Sequence, residues 1–241
     1  MRSRLLCTVV LAVLLLISQS AIAVQFGPNS ANITNPYMPF KVGTWSFSQG
    51  FGTNWINRIF YIHAIGTETV SGAKIGDQVF NNVKSLKAHV IITDDGGNYQ
   101  HEFFTMSFAQ DTDGNVWLLK IDSHLANMTG FLGGEYFKSM FMPAVPAVGL
   151  PAGIKMPEDA QNYCRIVQVG ISSLTTTFGT YEDCFKVNCY DEDPADIEVE
   201  YYCRGVGNVR TTTEASPSDF MDLKEIGTSS LIRTVVIPLG D

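Results

Sequence analysis

The sequence predicts an all-β protein of mostly antiparallel strands: a curved open sheet, half-barrel or sandwich with a long Pro/Gly-rich apolar loop and at most short helices. Three observations carry this prediction. From Val42 onward apolar residues recur at every second position, the spacing of a strand with one buried face. Asp-Gly turn signatures separate runs of strand length. No segment after residue 23 sustains a helical period over more than two turns.

The elements follow in chain order. Residues 24–36 are polar and turn-rich, end in Asn35-Pro36, and read as a surface or edge segment. Trp45-Ser46-Phe47-Ser48 alternates. So does the stretch from 55 to 65, with Ile59, Tyr61 and His63 on one face against Phe60, Ile62 and Ala64 on the other. Residues 89–93, 103–108 and 116–121 are β-branched or aromatic runs, separated by turns at 94–98 and 111–115. This half reads as an antiparallel meander.

Residues 128–157 break the pattern. Five glycines (Gly130, Gly133, Gly134, Gly149, Gly153) and four prolines (Pro143, Pro146, Pro151, Pro157) punctuate a segment rich in Phe, Met and Val, with one short helix conceivable over 135–140. Loops of this length in a compact domain are usually functional or mobile. Strands resume near 163–169, 172–177, 180–188, 197–203, 209–213, 220–226 and 231–237, with Gly205-Val206-Gly207 marking a bend or bulge. The expectation is one β domain over 24–241, or two β halves joined by the loop at 128–157.

The first 23 residues read as a cleaved export signal. Arg2 and Arg4 precede an apolar run from Leu5 to Ile17, and Ala21-Ile22-Ala23 supplies the small-x-small cleavage pattern. That run is too short to span a membrane, so the chain is not expected to be an integral membrane protein. Cleavage removes two arginines and moves the net charge from −8 to −10. An acidic surface argues against nucleic acid as a partner. Charged residues make up 17% of the chain against 45% hydrophobic, which argues against disorder. The expected location is secreted or periplasmic.

Outside the signal stand Cys164, Cys184, Cys189 and Cys203, an even number in an exported chain, and hence disulfide candidates. If residues 184–189 and 197–203 pair antiparallel about the acidic turn 191–196, Cys184 falls opposite Cys203. Cys184 and Cys189 are an odd number apart and point to opposite faces. The predicted pairs are Cys184–Cys203 and Cys164–Cys189. No CxxC pair accompanies them to favour zinc.

Three stretches read together resemble a family of exported bacterial β-rich proteins of unknown function. They are Ile33-Thr34-Asn35-Pro36-Tyr37-Met38-Pro39-Phe40 followed by Gly43-Thr44-Trp45, the segment from Ala109 to Trp117 (AQDTDGNVW), and Glu200 to Arg210 (EYYCRGVGNVR). The last is similar to a Tyr-Tyr-Ala-Pro-Gly-Val-Gly-x-Val pattern, with Cys203-Arg204 in place of Ala-Pro. The resemblance implies an antiparallel β architecture and a bacterial origin. It carries no activity and no catalytic residues.

Candidate sites are few. Asp111, Asp113 and Asn115 alternate oxygen-bearing side chains as a calcium loop does, but glycine stands at the fourth position and a hairpin turn is the preferred reading. His63, His89, His101 and His124 with Met106, Met128, Met140, Met142 and Met156 would suit copper, yet show no local cluster. Glu102 with Asp122 is one conceivable carboxylate pair. No Gly-x-Ser-x-Gly elbow occurs, so a hydrolase with a site invisible in sequence is the minority reading. No cofactor and no catalytic residue are assigned.

The leading reading is a non-enzymatic binding module for an apolar small molecule such as a lipid or acyl chain. Residues 128–157 would lie as a lid over the sheet, with Trp45, Phe60, Phe103, Trp117, Phe137, Phe141, Met142 and Met156 around the ligand. The alternative is a structural or assembly subunit whose apolar loop packs on another protein chain.

Overall fold

The computed structural model describes residues 24–56, 58–94, 100–123, 139–153, 163–190 and 197–229. The export signal at 1–23, Phe137, Met156, His124, residues 135–138 of the expected helix, the acidic turn at 191–196 and the expected strand at 231–237 lie outside the described residues; residues 139 and 140, the end of that expected helix, are β-strand instead.

The strands are β1 (Thr44–Phe51), β2 (Ile59–Val70), β3 (Ala73–Ile75), β4 (Gln78–Phe80), β5 (Val83–Asp94), β6 (Gln100–Gln110), β7 (Val116–Ser123) and β8 (Ser139–Met142) in the first part. After them come β9 (Tyr163–Ile171), β10 (Leu174–Thr175), β11 (Thr180–Tyr181), β12 (Cys184–Tyr190), β13 (Glu198–Cys203), β14 (Gly207–Thr213) and β15 (Phe220–Thr228). Eleven of them form one open antiparallel sheet in the order β8-β7-β6-β5-β2-β1-β15-β14-β13-β12-β9. The pairs β3-β4 and β10-β11 are separate two-stranded hairpins. The two parts of the chain meet inside the sheet, where β1 pairs with β15 from Thr44↔Thr228 to Phe51↔Phe220. Among the described residues there is no helix, and so none long and apolar enough to cross a membrane.

Curvature brings the two wings of the sheet face to face. Ile62, Ala64, Val90, Phe104, Met106 and Phe108 from one wing share a single buried cluster with Ile166, Phe185, Val187 and Tyr202 from the other. Strand alternation explains the selection, since each of these residues stands two positions from the next inward-facing one. Burying each large side chain contributes about 2 kcal/mol, so this concave face is the main cohesive term.

Of the segment read as a lid, residues 139–153 are described, and these are built into the sheet at both edges. Residues 139–142 form the edge strand β8 on β7, with Val116 opposite Met142. The chain then crosses to the opposite edge, where Gly149 N–H donates to Ile166 O (2.8 Å), Ile166 N–H to Leu150 O (2.9 Å) and Ala152 N–H to Cys164 O (3.4 Å). Gly153 N–H returns a bond to Phe141 O at 2.7 Å. The glycines and prolines of residues 143–153 thus form a strap over two sheet edges whose backbone groups would otherwise lack partners.

The stretches that carried the resemblance interlock. The first supplies Ile33, Tyr37 and Met38 to the core, at 5% exposure or less, while Asn32 and Thr34 beside Ile33 stay exposed. Asn35 Nδ2 donates to Gly114 O (3.1 Å) and Pro143 O (2.9 Å), and Gln110 Oε1 accepts from the N–H groups of Thr34 and Asn35. Gly205 N–H in the third stretch donates to Pro36 O at 2.6 Å. Gly205 and Gly207 adopt φ of 76° and 99°, values that disfavour any residue with a Cβ.

Candidate functional site

Between the two wings the core leaves a cavity of about 360 Å³. β1 supplies Ser46 and Ser48, β2 supplies Phe60 and Ile62, and Ile92, Met106, Phe108 and Phe141 continue the apolar wall. The register builds this wall row by row: Ser48 stands opposite Phe60 and Phe60 opposite Ile92. Met38 and Phe40 of the first stretch, and Met221 of β15, complete the apolar lining. Trp55 and Arg58 stand in the β1–β2 connection, with the guanidinium 4.5 Å above the indole ring.

The opposite wall is polar. Glu198, Glu200 and Tyr202 alternate along β13 and all three line the cavity, joined by Asn208 and Thr211 of β14. Glu200 stands opposite Thr211, and Thr211 opposite Met221, so the acidic wall runs into the apolar one across the sheet. Tyr202 donates its hydroxyl to Glu200 Oε2 at 3.0 Å. Burial pushes the Glu200 carboxyl up to about 8, the neighbouring Glu198 adds to the rise, and the Tyr202 hydroxyl only partly offsets it. The Tyr202 phenol is raised well above its ordinary value by burial and then by Glu200, so it remains a neutral donor. A cavity with an aromatic and aliphatic wall and a convergent carboxyl–phenol pole can hold one small amphiphile.

The residues proposed from sequence divide between this cavity and other places. Phe60 and Phe141 line it. Met142 is fully buried in the core cluster beside it. Trp45 precedes the cavity-lining Ser46 and so points to the other face of the sheet, under Gly227 and beside Tyr61. Trp117 packs with Leu119 and Ala109 in a second cluster and donates Nε1–H to Asp111 Oδ2 at 2.8 Å. Phe103 holds the register position opposite Ile91. Its side chain, like Phe137 and Met156, lies outside the described set. Sequence reasoning missed Glu198, Glu200 and Tyr202. The signal was their spacing of two residues, but an alternating Glu-Val-Glu strand reads by default with its acids toward water.

The structure pairs Cys164 with Cys189 and Cys184 with Cys203, at Cα separations of 3.9 and 4.0 Å. Each bridge joins residues directly opposite in a ladder, and the two lie on opposite faces. Two structural disulfides place the protein outside the reducing cytoplasm. The 111–115 stretch is a hairpin turn. Asp111 Oδ1 accepts from the N–H groups of Asp113 (3.0 Å) and Asn115 (2.8 Å), and Oδ2 from Asn115 Nδ2 and Trp117 Nε1, so its oxygens are committed to N–H donors. Among the described residues no group of three or more His, Cys, Asp or Glu is gathered to hold a metal. His63 Nε2 lies 3.2 Å from Ser229 O while Met106 faces the cavity, so the copper set is not assembled there. Asp122 pairs with Lys120 at 2.6 Å and stands opposite Thr105, three residues from Glu102. That odd spacing gives Glu102 and Asp122 register positions of opposite faces.

No protein-family model matches the chain, and no curated protein matches it. Two solved structures are similar in backbone. One is a predicted exported protein with a YmcC-like fold from Bacteroides fragilis, 10% identical, with 78% of this chain and 97% of that chain covered and a TM-score of 0.40. The other is a predicted lipoprotein from Parabacteroides distasonis, 14% identical, with 80% and 99% covered and a TM-score of 0.36. Likeness at this level assigns neither activity nor ligand, and the architecture rests on the chain's own strand pairing.

Proposed function

We propose that this exported protein is a binding module that holds one small amphipathic molecule in the cavity between the wings of its sheet. The observation that carries the reading is the composition of that cavity: Phe60, Ile62, Ile92, Met106, Phe108 and Phe141 on one wall, Glu200 and Tyr202 on the other. A core that served packing alone would fill this space with side chains, because interiors close to crystal density. Its volume, about 360 Å³, lies at the lower end of ligand pockets and suits a single chain or ring system rather than a two-chain lipid. The test is native mass spectrometry of protein recovered from its producing cells, joined to calorimetric titration with n-octanol. A bound small-molecule mass and saturable octanol binding, both lost in Ser48→Phe, support the reading. Octanol binding unchanged when Ser48→Phe fills the cavity overturns it.

The second reading, an assembly subunit, is favoured by the exposed apolar side chains on the strap and its neighbouring edge strand. Val145 and Val148 are 75% and 64% exposed, and Val145 shares a surface groove with Val169 of β9. Sedimentation over a range of concentrations tests it: a concentration-dependent oligomer that Val145→Lys dissociates supports this reading, and a monomer throughout removes it.

A further inference from the structure

We propose that the polar end of the molecule held in this cavity is a protonated amine, an alkyl- or aryl-ammonium group that donates to Glu200 while its apolar part lies along Phe60, Phe108 and Phe141. The inference rests on the cavity reading above and specifies its ligand class.

Charge and donor supply both lead there. The charged side chains among the described cavity-lining residues are Glu198, Glu200 and Arg58, and the Arg58 guanidinium is stacked on Trp55. Glu200 receives one described hydrogen bond, from Tyr202 to Oε2, and its Oε1 has no described donor. Among the described residues, those that flank or oppose it supply no cation. Glu198 and Tyr202 flank it on β13, and Thr211 stands opposite on β14. From the strap, a Cβ at Gly153 would stand 3.0 Å from Glu200 Oε2, and the Cys164–Cys189 bridge passes beside it. A carboxylate in such surroundings is costly unless a cation reaches it, and an ammonium brings the charge and the N–H donors together. An anionic head group would gain no charge pairing from a Glu200 carboxyl that keeps its proton, and would stand near the acidic Glu198. An alcohol would satisfy the hydrogen bond without the charge.

Proton balance adds a second signature. In the empty cavity Glu200 keeps its proton to about 8. When a protonated amine enters, the carboxyl ionises to pair with it and the proton leaves to the buffer, so binding near neutral pH releases a proton.

The experiment titrates the folded protein with n-octylamine, n-octanol and sodium octanoate by calorimetry near neutral pH, in two buffers of different ionisation heat. Octylamine is expected to bind about tenfold or more tighter than octanol, with octanoate weakest and proton release only for the amine. Glu200→Gln, of the same shape, is expected to abolish the proton release and bring octylamine to the octanol level while octanol binding persists. That persistence certifies that the variant has folded. If octanol or octanoate binds as tightly as octylamine, or Glu200→Gln leaves the ranking and the proton release in place, the amine assignment is overturned and the cavity reading stands. If none of the three binds, the cavity reading itself falls and this inference falls with it.

Discussion

Tyr202 donates its hydroxyl to Glu200 at 3.0 Å, and the two side chains enter the cavity from one strand, two residues apart. The carboxyl titrates at about 8 when folded, against an ordinary value of 4.5. The folded state therefore grips this proton more tightly than the unfolded chain. Its contribution is complete below about 4.5, falls as pH rises, and is lost once pH passes about 8. Glu200→Gln is expected to flatten this decline, by on the order of a few kcal/mol at most. Urea unfolding of both proteins from acid to mildly alkaline pH measures the difference, and parallel curves would refute it.

Arg210 and Asp222 make the opposite kind of pair. Asp222 is fully buried, and accepts from Arg210 Nε at 2.6 Å, Arg210 Nη2 at 2.8 Å and the Thr177 N–H at 2.7 Å. Burial pushes its carboxyl up, but the Arg210 guanidinium and Thr177 bonds outweigh that and hold it below the ordinary range. Its stabilising effect is thus present above that range and lost as pH falls. Asp222→Asn should cost about 3 kcal/mol at neutral pH, because Arg210 is left beside a core without its counter-charge, and less in acid. Urea unfolding at two pH values checks both parts.

Two glycines separate stability from binding. A Cβ on Gly50 would sit 1.8 Å from the Trp55 carbonyl oxygen, so Gly50→Ala must displace the β1–β2 connection that presents Trp55 and Arg58 to the cavity. A Cβ on Gly227 would strike the Trp45 ring at 2.5 Å, on the other face of the sheet. Each should cost about 2 kcal/mol. Only Gly50→Ala should also weaken octanol binding, as calorimetry on the folded variants would show.

The bridges should divide in the same way. With sequence separations of 19 and 25 between their partners, each is expected to contribute about 3 kcal/mol by restricting the unfolded chain. Replacing Cys184 and Cys203 by Ala should lower stability and spare the cavity. Replacing Cys164 and Cys189, which lie beside Glu200 and Gly153, should lower both stability and octanol affinity. Urea midpoints and titrations on the two double variants decide.

Much of the architecture could be read in advance because it depends on local alternation. Trp45 to Ser48, Phe60 to Ala64 and the opposition of Cys184 to Cys203 follow from a period of two and from counting back from a turn. β8 escaped because Ser139-Met140-Phe141-Met142 lies within glycine- and proline-rich chain, and the free edge of β7 supplies the ladder that makes it a strand. The β3–β4 hairpin escaped because strands of three residues leave no period to count. Along β13 the alternation was visible but its sense was not. Val199, which would ordinarily mark the inward face, is buried on the outer one, while the glutamates face the cavity.

By itself the sequence determined that this protein is made of antiparallel strands, that it is exported, and which cysteines stand opposite one another, since each of these follows from neighbours along the chain. Tertiary structure alone decided that the two wings close on each other, that residues 149–153 bind both edges, and that Glu200 and Tyr202 meet Phe60 and Phe141 across one cavity. Those relationships bring residues 60 and 200 to one cavity and bond 35 to 143, and sheet curvature is a sum of many small twists that no local pattern records.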